Sequence, residues 1–245
     1  MEISVKKIFK SFGPDPVLEN IAFEVPEGAC LLIYGKNGVG KTTPLKILNR
    51  LETPDRGEVC YRTNGIQHTF RNNRSRNLLI QRRMVLVSQN PAIFTGSLYR
   101  NIEMGLKFRG NRKPAEEIAD ALKRFGLWEL REKPAPLRSP GQKQKTSLLR
   151  GLILDCEIMF LDEPTNHLDE RGKEILKTFL LEKKMRGTAF VVSTPDLKEW
   201  NGFPFDKIYH LKEEGLYDIS PKSKEHYLER NASFNLGEGG TLPFA

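Results

Sequence analysis

The chain has 245 residues, 39 Lys and Arg against 31 Asp and Glu, and a formal net charge of +8. Hydrophobic residues make up 38% of it, which is enough for a packed core. No run approaches the roughly 20 apolar residues that cross a bilayer. The opening MEISVKKIFK alternates and carries charge, so it reads as a strand rather than a signal peptide. These features predict a soluble protein with no recognisable secretion route. Cys30, Cys60 and Cys156 are odd in number and widely spaced. They show no metal-ligand spacing and read as reduced, buried or half-buried thiols. The basic balance fits an anionic partner or a mixed solvated face. The segment Arg71–Arg83, with five arginines and no acid, fits a contact surface or an exposed loop and helix.

In chain order, Glu2–Ile8 and Ile21–Val25 read as strands, separated by a turn rich in Gly13, Pro14, Asp15 and Pro16. Ala29–Tyr34 is continuously apolar, as a strand buried on both faces should be. It runs into the loop Gly35–Gly40 and then a helix over Lys41–Arg50. Strands follow near Glu58–Arg62 and Met84–Ser88. Helices are predicted over Ser97–Met104, Ala115–Phe125 and Gln142–Leu154, the second with Ile118, Leu122 and Phe125 on one face. Then come a strand at Ile158–Leu161, a helix at Glu170–Lys184 and a strand at Thr188–Ser193. Lys207–Leu211 and Leu216–Asp218 form a closing hairpin around Glu213, Glu214 and Gly215. Strand, helix and strand alternate, with a helical block near 90–150. An α/β architecture with a mostly parallel central sheet is expected. Residues 1–230 read as a single domain, and 231–245 as a loosely ordered tail.

Gly35-Lys36-Asn37-Gly38-Val39-Gly40-Lys41-Thr42-Thr43 fits the pattern G-x-x-x-x-G-K-[ST]. Glycines let the backbone approach phosphate oxygens and adopt positive φ. Successive N–H groups and the helix N-terminus then face the anion. Lys41 supplies a mobile cation for the β- and γ-phosphates, and the Thr42 hydroxyl is placed to ligate Mg²⁺. Pro44 lies in the first helical turn, where its missing N–H is tolerated.

Ile158-Met159-Phe160-Leu161-Asp162-Glu163 is an apolar strand ending in two carboxylates. Asp162 stands where an aspartate would hold Mg²⁺ through water, and Glu163 where a general base would polarise the attacking water. With Pro164–Asp169 they form LDEPTNHLD.

LDEPTNHLD together with GKNGVGKTT resembles the ATP-binding cassette family, over nearly the whole chain. The resemblance implies a P-loop NTPase fold with an antiparallel β subdomain and an inserted helical subdomain. It implies that Phe12 stacks on adenine and that Gln89 senses Mg²⁺ and the water. It places Ser139, Gly141 and Gln142, in LRSPGQKQK, in the signature that meets a partner's γ-phosphate. Asn166–Asp169 matches the dimer-contacting loop. ATP with Mg²⁺, a second cassette and a membrane permease are the implied ligand and partners, with no nucleic acid. The implied location is the cytoplasmic face of the membrane. The run QNPAIFTGSLYRNIEMGL (Gln89–Leu106) looks like importer cassettes, including those for tungstate and related oxyanions.

Two departures stand out. In the signature, Arg138 replaces leucine and Pro140 replaces glycine, although proline suits a first helical position. After the strand TAFVVS the family has a histidine that contacts the γ-phosphate. Here Thr194 is read as filling that place, and slowed hydrolysis is expected. His167 reads as a packing or interface residue, and Trp128 and Trp200 as partial core anchors. Phe94, Leu98 and Tyr99 read as either a partner-facing patch or core. The leading reading is the ATPase subunit of a membrane importer. The alternatives are a soluble cassette of the translation-factor or repair type and a weakly hydrolysing regulatory cassette.

Overall fold

The computed structural model describes residues 1–70, 74–90, 92–110 and 115–221, with side chains of 74–77 left aside. The predicted tail at 231–245 and part of the basic segment Arg71–Arg83 lie outside the described residues. Strands β1 (Glu2–Phe12) and β2 (Asp15–Val25) form a hairpin, in which Phe12 pairs with Asp15. Both strands run further than alternation predicted, so Gly13 and Pro14 alone make the turn. Strand β3 (Cys30–Tyr34) leads into α1 (Thr42–Leu48). Pro44 is the third residue of α1, where its absent N–H breaks no intrahelical bond. Strands β4 (Arg56–Thr63) and β5 (Ile66–Thr69), helix α2 (Arg74–Gln81) and β6 (Met84–Val87) follow.

Among the described residues, three α-helices lie between β6 and the next strand: α3 (Leu98–Arg109), α4 (Ala115–Arg124) and α5 (Pro140–Leu152). Ser97 caps α3 by accepting from Arg100 N, and Gly110 closes it in the left-handed region. Then come β7 (Ile158–Asp162), α6 (Glu170–Met185), β8 (Ala189–Thr194), β9 (Lys207–Lys212) and β10 (Gly215–Asp218).

Among the described residues, β2-β1-β4-β5 form an antiparallel sheet and β10-β9-β3-β8-β7-β6 a second one. In the second, β9, β3, β8, β7 and β6 are parallel neighbours and only β10 runs antiparallel. The apolar runs are explained by two cores, one on each face of this sheet. Leu32, Met159, Leu161, Phe190 and Val192 pack toward the helices. Leu31, Ile33, Ile158, Phe160, Ala189 and Val191 pack toward α1 and the antiparallel sheet. Alternate residues of one strand thus serve opposite cores, so no polar face is left.

Leu98 is fully buried in the helical core. It is core, not patch, whereas Phe94 remains exposed and Tyr99 packs half-buried. Trp200 is buried against Phe203 and Phe205. Trp128 is half-buried, with Lys123 and Arg131 over its ring. Cys30 and Cys60 are buried and Cys156 half-buried, all free thiols. No helix among the described residues is long and apolar enough to cross a membrane.

His210 on β9 pairs with Tyr34 across the sheet, with ring centroids 4.8 Å apart. Burial first, then Lys212 and Lys36, push its pKa down from 6.5 to about 4, against an opposing pull from Glu214. The unfolded chain therefore binds this proton before the fold does. Stability from this residue is intact above pH 6.5 and falls as pH drops from 6.5 toward 4. His210→Phe should flatten that part of the curve. Melting temperatures of both proteins between pH 7 and pH 4 check it; parallel curves would contradict it.

Candidate functional site

The site forms where β3, β7 and β8 end side by side at the α1 N-terminus. Tyr34 pairs with Thr194, and Asp162 with Ser193, so the three C-terminal edges are level. Loops at the carboxyl ends of parallel strands are where such sheets bind ligands.

Two glycines shape the loop. A Cβ on Gly35 would sit 2.7 Å from Leu211 O and 2.9 Å from Val39 Cγ1. Gly40 has φ +97°, and a Cβ there would sit 2.5 Å from Val17 Cγ1 on β2. Gly40→Ala combines backbone strain with a clash and should cost about 1–3 kcal/mol in stability. Adding Val17→Ala should recover part of that loss, because it relieves the clash but not the φ. Chemical denaturation of both variants checks this.

Lys41 is 4% exposed, yet it is fully engaged. Its Nζ donates to Gly35 O at 2.8 Å and Lys36 O at 3.0 Å, and pairs with Glu163 Oε1 at 3.0 Å. The loop therefore curls around its own ammonium. Thr42 Oγ1 donates to Asp162 Oδ2 at 2.7 Å. Glu163 Oε2 accepts from Gln89 Nε2 at 2.8 Å and from Asn166 Nδ2 at 2.9 Å. Lys41, Thr42, Asp162, Glu163 and Gln89 are thus gathered into one connected cluster. Thr43 is buried beneath the loop, while Asn37 and Gly38 lie exposed at its tip and Val39 is half-buried.

Ser193 was not singled out from the sequence. Its Oγ donates to Asp162 Oδ1 at 2.7 Å and accepts from Glu163 N at 3.0 Å, locking both acids to β8. Glu163 also donates its N–H to Ser193 O at 3.2 Å. These bonds sustain a φ of +45° at Glu163, a left-handed conformation that costs a non-glycine about 1–2 kcal/mol.

Thr194 corrects an expectation. It is fully buried, its Oγ1 donates to Asp196 O at 3.0 Å, and the same Oγ1 accepts from Asp196 N at 3.2 Å. Its side chain belongs to the turn after β8, not to the cluster. The residue leaving the strand is half-buried Pro195, which has no side-chain donor and no N–H.

Ser139, Gly141 and Gln142 stand elsewhere. Ser139 caps α5 in a reciprocal capping box with Gln142, and Pro140 opens the helix. A Cβ on Gly141 would sit 2.8 Å from His167 O, so α5 packs closely on the loop after Glu163. Lys145–Asp169 at 3.2 Å ties the same two segments together. Among the described residues, no hydrogen bond or ion pair joins Ser139, Gly141 or Gln142 to Gly35–Thr43. Phe12 lies 49% exposed near the hairpin turn, with Lys10 Nζ 5.1 Å from its ring centroid. His167 is exposed with φ +61°.

A glycine loop between a buried strand and a helix, a lysine inside it and two acids on a parallel strand define a P-loop nucleoside-triphosphatase core. A profile of the ABC transporter family matches residues 18–166. The arginine transport ATP-binding protein ArtM of Bacillus subtilis is 32% identical over 246 residues, covering 93% of this chain and 99% of that protein. The aliphatic sulfonates import ATP-binding protein SsuB 1 of Shouchella clausii is 33% identical over 238 residues, covering 93% and 86%. A bacterial ABC transporter cassette solved as a dimer superposes with a TM-score of 0.72 at 26% identity, covering 89% and 98%. The chain belongs to the ABC transporter family, as an ATP-binding ATPase cassette.

Proposed function

We propose that this chain energises solute import through a separate membrane permease, sitting on the cytoplasmic face of the membrane. Residues 1–230 form the ATPase domain, with the helical block near 90–150 inserted in it. The observation that carries the chemistry is the Lys41–Glu163–Gln89 cluster beside Thr42 and Asp162. ATP draws Lys41 from its carbonyl cage to the β- and γ-phosphates, while backbone N–H groups of Gly38–Thr43 face the same anion. The Phe12 ring offers a stacking surface for the base. Glu163, released from Lys41, takes a proton from water oriented with Gln89. The water oxygen bonds to the γ-phosphorus, and the bridging P–O bond breaks with its electron pair leaving on ADP.

Mg²⁺ fits the donors present. Thr42 Oγ1 and Asp162 Oδ2 are hard oxygens 2.7 Å apart, and the Gln89 amide, bonded through Nε2 to Glu163, carries a third. No cluster of three or more His, Cys, Asp or Glu exists among the described residues. When bound, Mg²⁺ neutralises charge developing on the phosphate oxygens.

Two such chains, or this chain and a different cassette, pair so that Ser139, Gly141 and Gln142 of one meet the ATP of the other. Gly141 N–H, in the first turn of α5, lacks an intrahelical acceptor and is suited to phosphate. Thr194, read as standing where the family has histidine, spends its hydroxyl on Asp196, so unaided hydrolysis is slow, and a partner cassette with a complete site would raise it. Phe94, exposed beside the start of α3, is a contact for the permease.

Phosphate release by the purified chain, and detergent extraction of membranes with the tagged chain, test this reading. Slow ATP-dependent release and co-purification of a polytopic partner, lost with Phe94→Ala, are expected. Unaided turnover of several per second, or recovery of the chain alone, would contradict it.

A further inference from the structure

Asn166 has an unusual double attachment to Glu163. Its backbone N–H donates to Glu163 O at 3.2 Å, and its Nδ2 donates to Glu163 Oε2 at 2.9 Å. The amide is therefore fixed to the residue whose carboxylate it holds, through a loop only three residues long. Glu163 needs such help. Its backbone is left-handed and its carboxylate has three neighbours: Lys41 on Oε1, Gln89 and Asn166 on Oε2. Gln89 comes from the end of β6, a different segment from Asn166.

We infer that Asn166 is a positioning residue for ATP hydrolysis, aiming the Glu163 carboxylate at the attacking water. The inference rests on Glu163 acting as the base. When Lys41 turns to phosphate, Oε1 loses its partner and becomes free to accept a proton. Oε2 stays held by two amides that approach from different segments. Two neutral donors orient the carboxylate without contributing a full positive charge. A carboxylate left with Gln89 alone would rotate about its side-chain bonds, and misplacement of this kind costs about a hundredfold in rate.

The test uses the full chain at saturating Mg-ATP, with single-turnover hydrolysis and equilibrium ATP binding measured on wild type and four variants. Asn166→Ala is expected to lose about 10- to 100-fold in rate while ATP affinity stays within about twofold of wild type. Asn166→Ser, which keeps a short donor, should recover part of that rate. Asn166→Asp places a like charge against Glu163. It removes the donor as well, so its rate should fall at least as far as that of Asn166→Ala. Asn166→Ala at the wild-type rate, with Glu163→Gln inactive, would overturn the role of Asn166 alone. So would Asn166→Asp at the wild-type rate. Glu163→Gln at the wild-type rate would instead overturn the base assignment, and this inference with it.

Discussion

Replacing Lys41 with alanine should weaken ATP binding at least about a hundredfold, since it removes the buried cation proposed to meet two phosphates. It should also destabilise the protein without ligand. Lys41 and Glu163 are 3% and 9% exposed at their side chains and 3.0 Å apart. Removing one partner of a buried pair leaves the other charge uncompensated, at a cost of about 3–5 kcal/mol. Gln89 and Asn166 remain on the carboxylate, which places the loss at the lower end of that range. Adding Glu163→Gln to Lys41→Ala removes the orphaned charge and should restore much of the stability, but none of the ATP affinity. Denaturation and equilibrium binding of the two single variants and the double variant check both halves through their non-additivity.

The second large effect is on chemistry rather than affinity. Glu163→Gln keeps the size of the side chain and removes its capacity to take a proton. Hydrolysis should fall by about 10²–10⁴, while ATP still binds. The split between rate and affinity is what assigns the role. A variant that lost both together would point to collapse of the loop around Lys41, because the same carboxylate also anchors that ammonium. Free Lys41 could also bind ATP more tightly in this variant, since it no longer has to leave Glu163.

The sequence carried those parts of the site that are local. The glycine loop, Lys41 and Thr42 occupy consecutive positions, and the phosphate-binding pattern is set by that spacing. The buried strands were legible because Cys30–Ile33 and Ile158–Leu161 must be apolar throughout to feed two cores. The helix starting at Pro140 was read two residues late, since Ser139 as cap and Pro140 as first residue are set by cap geometry. What stayed hidden depends on pairing across the chain. Ser193 holds Asp162 and Glu163 only because β8 lies beside β7 in that register. Nothing near residue 193 announces it. Asn166 was visible as part of a dimer loop, but its grip on Glu163 follows from the tight turn after β7.

Thr194 shows the same limit in reverse. Counting along the strand placed a hydroxyl at the γ-phosphate position. Strand β8 is buried through its last residue, and Thr194 spends its hydroxyl on the turn to Asp196. Burial, not residue order, decided which side chain faces the site. Likewise Leu98 and Phe94 lie four residues apart around the start of α3, yet one is core and the other surface.

The most direct test of an ATP-driven cassette is the sedimentation of Glu163→Gln with and without Mg-ATP. The variant binds ATP without consuming it, so any nucleotide-bridged dimer persists. A species of twice the mass that forms only with ATP, and that disappears when Ser139→Arg blocks the surface proposed to meet the second ATP, is the expected result. A variant that binds ATP yet keeps the mass of one chain at every concentration would contradict it.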